Sequence, residues 1–137
     1  MKSKNLSRKA IALLAIAAST FCFAFPALAG NTAKTGWSAY LTNWNTADTP
    51  NRQKQNTSDG YISASSVSGN RTIRAWMLGY SNEDVRSGTV TLTSGSVGYV
   101  TNQTYQIYGR KQVHMRLQNT QNVAGTEAAG LWSPDNK

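Results

Sequence analysis

Few residues in this chain are of types that do chemistry. It holds one histidine, His114, and six acids: Asp48, Asp59, Glu83, Asp84, Glu127 and Asp135. A lone histidine cannot build a His-based metal cluster or a two-histidine proton relay. His114 stands between Lys111 and Arg116 on the outward face expected of its strand, where a solvated side chain is the ordinary outcome. Serine chemistry would need a nucleophile on a strained turn, and no Gly-x-Ser-x-Gly occurs. Glycosidic cleavage needs two carboxylates about 5–10 Å apart. All six acids fall in expected loops or tail, and the one local pair, Glu83-Asp84, has the character of turn residues. No glycine-rich phosphate loop precedes a helix. The residues therefore predict no enzyme, no metal site and no cofactor.

Binding chemistry has more material. Four tryptophans (Trp37, Trp44, Trp76, Trp132) and six tyrosines are more large rings than a small domain encloses. Most fill a core; those outside can stack on sugar rings or rest at a lipid interface. Tyr99, Tyr105 and Tyr108 gather in sequence next to Arg110 and Lys111. The candidate contact residues are Tyr105, Tyr108, Arg110, Lys111, Arg116 and Trp132. The partners such a set suits are an anionic cell-wall polymer or envelope lipid head groups.

The elements that position these residues are strands. In Arg110–Asn119, Val113, Met115 and Leu117 alternate with Gln112, His114, Arg116 and Gln118. Successive side chains of a strand point to opposite faces, so this segment shows one apolar and one wet, basic face. Met115→Asp is accordingly expected to unfold the domain, and Arg116→Ala to be nearly silent. Gly36–Trp44 alternates in the same manner. Asn45–Asp59 has lost its apolar content and reads as a long, mobile polar loop. Tyr61–Val67 and Thr72–Tyr80, joined by Ser68-Gly69-Asn70, read as a hairpin. Ser81–Ser87 reads as a turn, followed by strands over Thr89–Thr93, Val97–Val100 and Thr104–Tyr108. No helical period persists after Ala29. About seven short strands with turns between them predict an all-β fold, a small antiparallel β-sandwich or small barrel, with strand order and oligomeric state left open.

The first 29 residues stand apart. Lys2, Lys4, Arg8 and Lys9 precede the nearly apolar Ala10–Phe25, and Ala27-Leu28-Ala29 closes the segment. A basic head, greasy middle and Ala-x-Ala end describe a secretory signal cleaved after Ala29. Pro26 breaks the apolar run short of the about 20 residues that a spanning helix needs. The exported chain is then one domain, 30–137, with no membrane span. The only cysteine, Cys22, leaves with the signal, so the domain is disulfide-free. Four of the 14 basic residues leave too, and the net charge of +8 falls to +4. That balance, outside the cell, speaks against a nucleic acid partner.

The chain closes on Gly130-Leu131-Trp132-Ser133-Pro134-Asp135. This Gly-x-Trp-Ser-Pro-Asp ending, with the signal, the cysteine-poor strands rich in Tyr, Asn and Thr, and a basic strand like Arg110–Leu117, resembles small secreted Gram-positive proteins of a family of unknown function. Here the tail runs on to Asn136-Lys137 rather than to a serine. The resemblance implies an exported β fold and carries no activity. The step Ala129-Gly130-Leu131-Trp132 is also similar to one in lactococcin-972-type bacteriocins, which implies non-catalytic action on the envelope of competitors. Three functions follow in order: an exported binding or accessory protein at the cell envelope, a bacteriocin-like toxin, and, last, a small wall-active hydrolase.

Overall fold

The computed structural model describes residues 30–137, and the segment expected to be an export signal, with Cys22, lies outside the described residues. The chain forms strands β1 (Thr35–Leu41), β2 (Thr46–Asp48), β3 (Arg52–Lys54), β4 (Gly60–Val67), β5 (Ile73–Gly79), β6 (Asp84–Leu92) and β7 (Val97–Val100). A five-residue helix α1 (Thr104–Tyr108), β8 (Lys111–Asn119) and β9 (Thr126–Ser133) follow. The strands make two sheets, one ordered β1-β9-β4-β7 and one ordered β2-β8-β5-β6, with β3 also on β8. All pairings are antiparallel. The all-β sandwich is as the alternation predicts.

β8 is the hub of the five-stranded sheet, pairing with β5 along one side and with β2 and β3 along the other. Its Val113, Met115 and Leu117 are buried, and so are Ile73, Ala75 and Met77 on the neighbouring β5, where Ala75 lies opposite Leu117 and Met77 opposite Met115. From the other sheet, Trp37, Leu41, Ile62, Ala64 and Trp132 complete one core. Full burial of such side chains is the main favourable term holding the sheets together. Gly130 lies on β9 opposite Ala64 of β4, and a Cβ there would strike the Ser63 carbonyl. Only a residue without a side chain lets the two backbones meet so tightly.

Four readings of the sequence are corrected. β4 and β5 are not a hairpin. β4 pairs with β7 and β9, β5 with β6 and β8, and Ser68–Asn70 carries the chain from one sheet to the other. Gly69 and Asn70 do take positive φ, of 69° and 50°, but the turn they make serves a crossover. The polar stretch Asn45–Asp59 is not a loop throughout: β2 and β3 lie within it. Three-residue strands on a ready edge are held by backbone hydrogen bonds and need no apolar face of their own. Thr104–Tyr108 is a helix, not a strand. The Asn102 carboxamide accepts from the Thr104 N–H at 3.2 Å, and Gly109, at φ 67°, ends the turn by donating its N–H to the Tyr105 carbonyl. The β-favouring Tyr, Ile and Thr are overruled by these two local signals. The expected turn Ser81–Ser87 is also shorter, since β6 begins at Asp84 and passes through an irregularity at Arg86, a non-glycine residue at φ 52°.

Candidate functional site

The outward face of the five-stranded sheet carries a groove. Its residues come from neighbouring strands in register. Arg74 lies opposite Gln118 and Trp76 opposite Arg116 across β5–β8, Thr89 lies opposite Trp76 across β5–β6, and Thr46 opposite Gln118 across β2–β8. Together they line a shallow hollow of about 370 Å³. Two strands with the pattern x-Arg-x-Trp and x-Arg-x-Gln, paired antiparallel, put their polar side chains side by side because strand side chains repeat every second residue.

The two arginines of the groove differ in state. Arg116 is tied by Nε to Asp48 Oδ1 at 2.7 Å and by Nη2 to Oδ2 at 2.8 Å, and Nη2 also reaches Asn82 Oδ1 at 2.6 Å. This two-pronged pair is charge-neutral, and its hydrogen bonds hold the Asp48 carboxyl below its usual pKa and the Arg116 guanidinium above its own. Arg74 stands 5.7 Å from the Trp76 ring centre and donates to Gln118 Oε1, a neutral acceptor. Among the described residues, no carboxylate lies within ion-pair distance of Arg74. Gln118 in turn donates to the Trp44 carbonyl, which brings the half-exposed Trp44 to the rim. A flat ring, an unpaired guanidinium over it and amide and hydroxyl groups around it suit a sugar ring bearing an anionic group.

His114 is not a surface residue. The segment Asp48–Asn51 passes over it, fixed by Thr49 N–H donating to the Met115 carbonyl and Thr49 Oγ1 accepting from the Met115 N–H, both at 2.9 Å. His114 Nδ1 lies 3.0 Å from Asn51 Oδ1, and Nε2 lies 3.5 Å from Asp48 Oδ2. Burial pushes its pKa down, opposed in part by the Asp48 charge. The histidine is thus a neutral support beneath the Asp48–Arg116 pair. Alternation places it on the outer face correctly; the polar flap that covers it leaves no periodic trace.

The six candidate contact residues do not form one site. Arg116 alone lines the groove. Tyr105 and Tyr108 lie on α1, where the half-exposed Tyr108 has Lys111 Nζ 4.5 Å above its ring, and Lys111 is itself paired to Glu83 at 2.7 Å. Hydrogen bonding from Lys111 draws the Glu83 pKa down. Arg110 is exposed beside them. Trp132 is fully buried and faces the core, so it contacts no ligand at the surface. Tyr99 is not with this cluster either. It packs edge-on to Tyr61, ring centres 5.9 Å apart, on the outward face of the four-stranded sheet, with Lys34 Nζ 4.1 Å over Tyr61. Arg74, Trp76, Thr46, Thr89 and Gln118 escaped sequence reading because only the β5–β8 register brings them together. Among the described residues, no three His, Cys, Asp or Glu side chains gather as metal ligands would.

A family profile described as "Protein of unknown function (DUF2712)" matches residues 25–136. The chain belongs to this family. The match spans the whole sandwich, groove and C-terminal Trp132–Asp135 included. No curated protein and no solved structure matches the chain significantly.

Proposed function

We propose that this family member is an exported, non-enzymatic binding protein of the cell envelope, and that the Arg74–Trp76 groove takes an anionic polysaccharide of the wall. One observation carries this reading: a guanidinium free of any carboxylate stands over an exposed-side tryptophan in a groove already lined by hydroxyls and amides. Phosphate or carboxylate on the polymer would pair with Arg74, and a sugar ring would lie on Trp76. The basic, disulfide-free composition of 30–137 and the signal-like first 29 residues support work outside the cell. The hydrolase reading loses support, since Glu83 is engaged by Lys111 and Ser81 at a turn and Asp48 by Arg116.

The test is retention of the purified protein on isolated cell walls across a salt series. Retention that fades as salt rises, and that falls several-fold in Arg74→Ala and Trp76→Ala, is expected. Equal retention of wild type and both variants would place binding elsewhere. No retention would sink the wall reading, and growth inhibition of neighbouring strains, the mark of a bacteriocin-like toxin, would then be measured.

A further inference from the structure

A second cluster lies outside the groove. Lys54 and Asp135 face each other inside the protein, Nζ to Oδ1 at 2.6 Å, and neither side chain is reached by solvent. The surroundings are arranged unevenly around the two carboxyl oxygens. Oδ1 faces the amine alone, while Oδ2 accepts two backbone N–H groups, from Asn31 at 2.8 Å and from Gln55 at 3.0 Å. The amine's other donors are directed at the carbonyls of Ser58 and Pro134, the latter at 2.8 Å. Nucleophile, leaving oxygen and a pair of oxyanion donors are thus held in one dry site.

We propose that Lys54 and Asp135 join in an isopeptide bond, a covalent staple between β3 and the chain's end. A proton passes from the Lys54 ammonium to Asp135 Oδ1, leaving a neutral amine and a carboxylic acid. The amine lone pair attacks the side-chain carbonyl carbon, and the new C–N bond pushes electrons onto Oδ2, where the Asn31 and Gln55 N–H groups hold the oxyanion. Nitrogen gives a second proton to Oδ1, the C–Oδ1 bond breaks, and one water leaves. The amide keeps one hydrogen on nitrogen for a neighbouring carbonyl, and Oδ2 keeps both its donors. No oxidant, metal or second reactant takes part.

Two physical reasons favour the step. The reacting groups are fixed at contact distance, which removes most of the entropic barrier to joining them. The ion pair is also costly to keep in a dry interior, and condensation replaces two buried charges with one neutral amide. Burial draws the Lys54 pKa down, against the opposite pull of Asp135 and Asp59, which favours the neutral amine the attack requires. Ser58 and Asp59 border a groove of about 430 Å³ with Asn136 and Lys137, the residues next to Asp135 in the chain, so bulk water lies one residue away from the pair. A staple of this kind suits an exported domain that carries no disulfide.

The experiment is mass spectrometry of the full chain, purified in folded form, with its N-terminus assigned from the same spectra. The expected intact mass is one water below that of the sequence. A digest is expected to yield a branched peptide joining Lys54 to Asp135, absent from Lys54→Arg. A folded wild-type protein at full sequence mass after prolonged incubation overturns the proposal. So does a water loss that maps to a linear peptide, as dehydration of a single Asp or Asn would. Should Lys54→Arg fail to fold, the wild-type digest decides alone.

Discussion

Two ion pairs anchor the polar stretch 45–59, and they are held in opposite ways. Asp48–Arg116 sits at the surface, its side chains 37 % and 22 % exposed, while Lys54–Asp135 has none of either side chain exposed. Each draws β2 or β3 toward a distant part of the chain. The surface pair is solvated, gains little from attraction, and serves chiefly to aim Arg116 into the groove. The buried pair has lost its water, and the polar atoms of its own two side chains are answered by backbone groups of Ser58, Pro134, Asn31 and Gln55. One pair positions a surface group, and the other closes the fold.

Breaking the buried pair on one side should therefore have the largest effect. Asp135→Ala leaves the Lys54 ammonium without a counter-charge in the interior, and a loss of about 3–5 kcal/mol in urea unfolding is expected. Removing both charges together, as Lys54→Met with Asp135→Leu, should recover the part of that loss that comes from the orphan charge, and the deficit that remains measures the covalent staple. A single variant as mild as a surface substitution would show that water reaches the pair, and the contrast between the two anchors would fail.

Part of this was legible in the residues. Alternation in Arg110–Asn119 is enough to tell which side of β8 is core, because a strand's geometry leaves no other option once Val113, Met115 and Leu117 are apolar. Lys54 is the opposite case. A lysine amid Arg52, Gln53 and Gln55 has every local mark of a solvated residue, and its partner lies 81 positions away. Trp132 shows the same limit from the other side. Its short apolar step before Pro134 reads at most as a last short strand or plug, yet β9 runs over Thr126–Ser133 as an inner strand between β1 and β4 because its backbone finds partners on both edges. Small residues Ala128, Ala129 and Gly130 give that strand little hydrophobic signature. The groove follows the same rule: Arg74, Trp76, Arg116 and Gln118 are each visible, but their meeting depends on register between strands.

The surface anchor rests on His114, and pH separates it from the buried one. Burial lowers the folded-state pKa of His114 below its ordinary 6.5, so the unfolded chain binds the proton first as acid is added. Stability from this residue is present above about 6.5 and is lost as pH falls from there toward the lower folded value. The depressed Asp48 adds a further loss only below its ordinary 3.8. Wild type should weaken on going from pH 7 to pH 5 in thermal melts, and His114→Gln should flatten that interval while leaving the steeper acid loss near pH 3.8. A wild-type stability that does not change between pH 7 and 5 would mean the flap over His114 opens to solvent.

Asp48→Asn should move stability least, by about 0–1 kcal/mol, since an exposed pair contributes little. Its effect on binding should be the reverse of every other substitution in the groove. With the carboxylate gone, Arg116 keeps its place on β8 opposite Trp76 but loses the charge that cancels it, so two free guanidinium groups flank the ring in place of one. Retention on anionic wall polymer should rise, and its fall with added salt should steepen, because screening acts on each unpaired surface charge. Arg116→Ala works in the other direction. It frees the Asp48 carboxylate at the edge of the groove and should weaken binding by more than the loss of a neutral pair alone would suggest. Were Asp48→Asn and Arg116→Ala to bind alike, the groove's charge would be irrelevant to its ligand, and the stacking surface of Trp76 would have to account for recognition by itself.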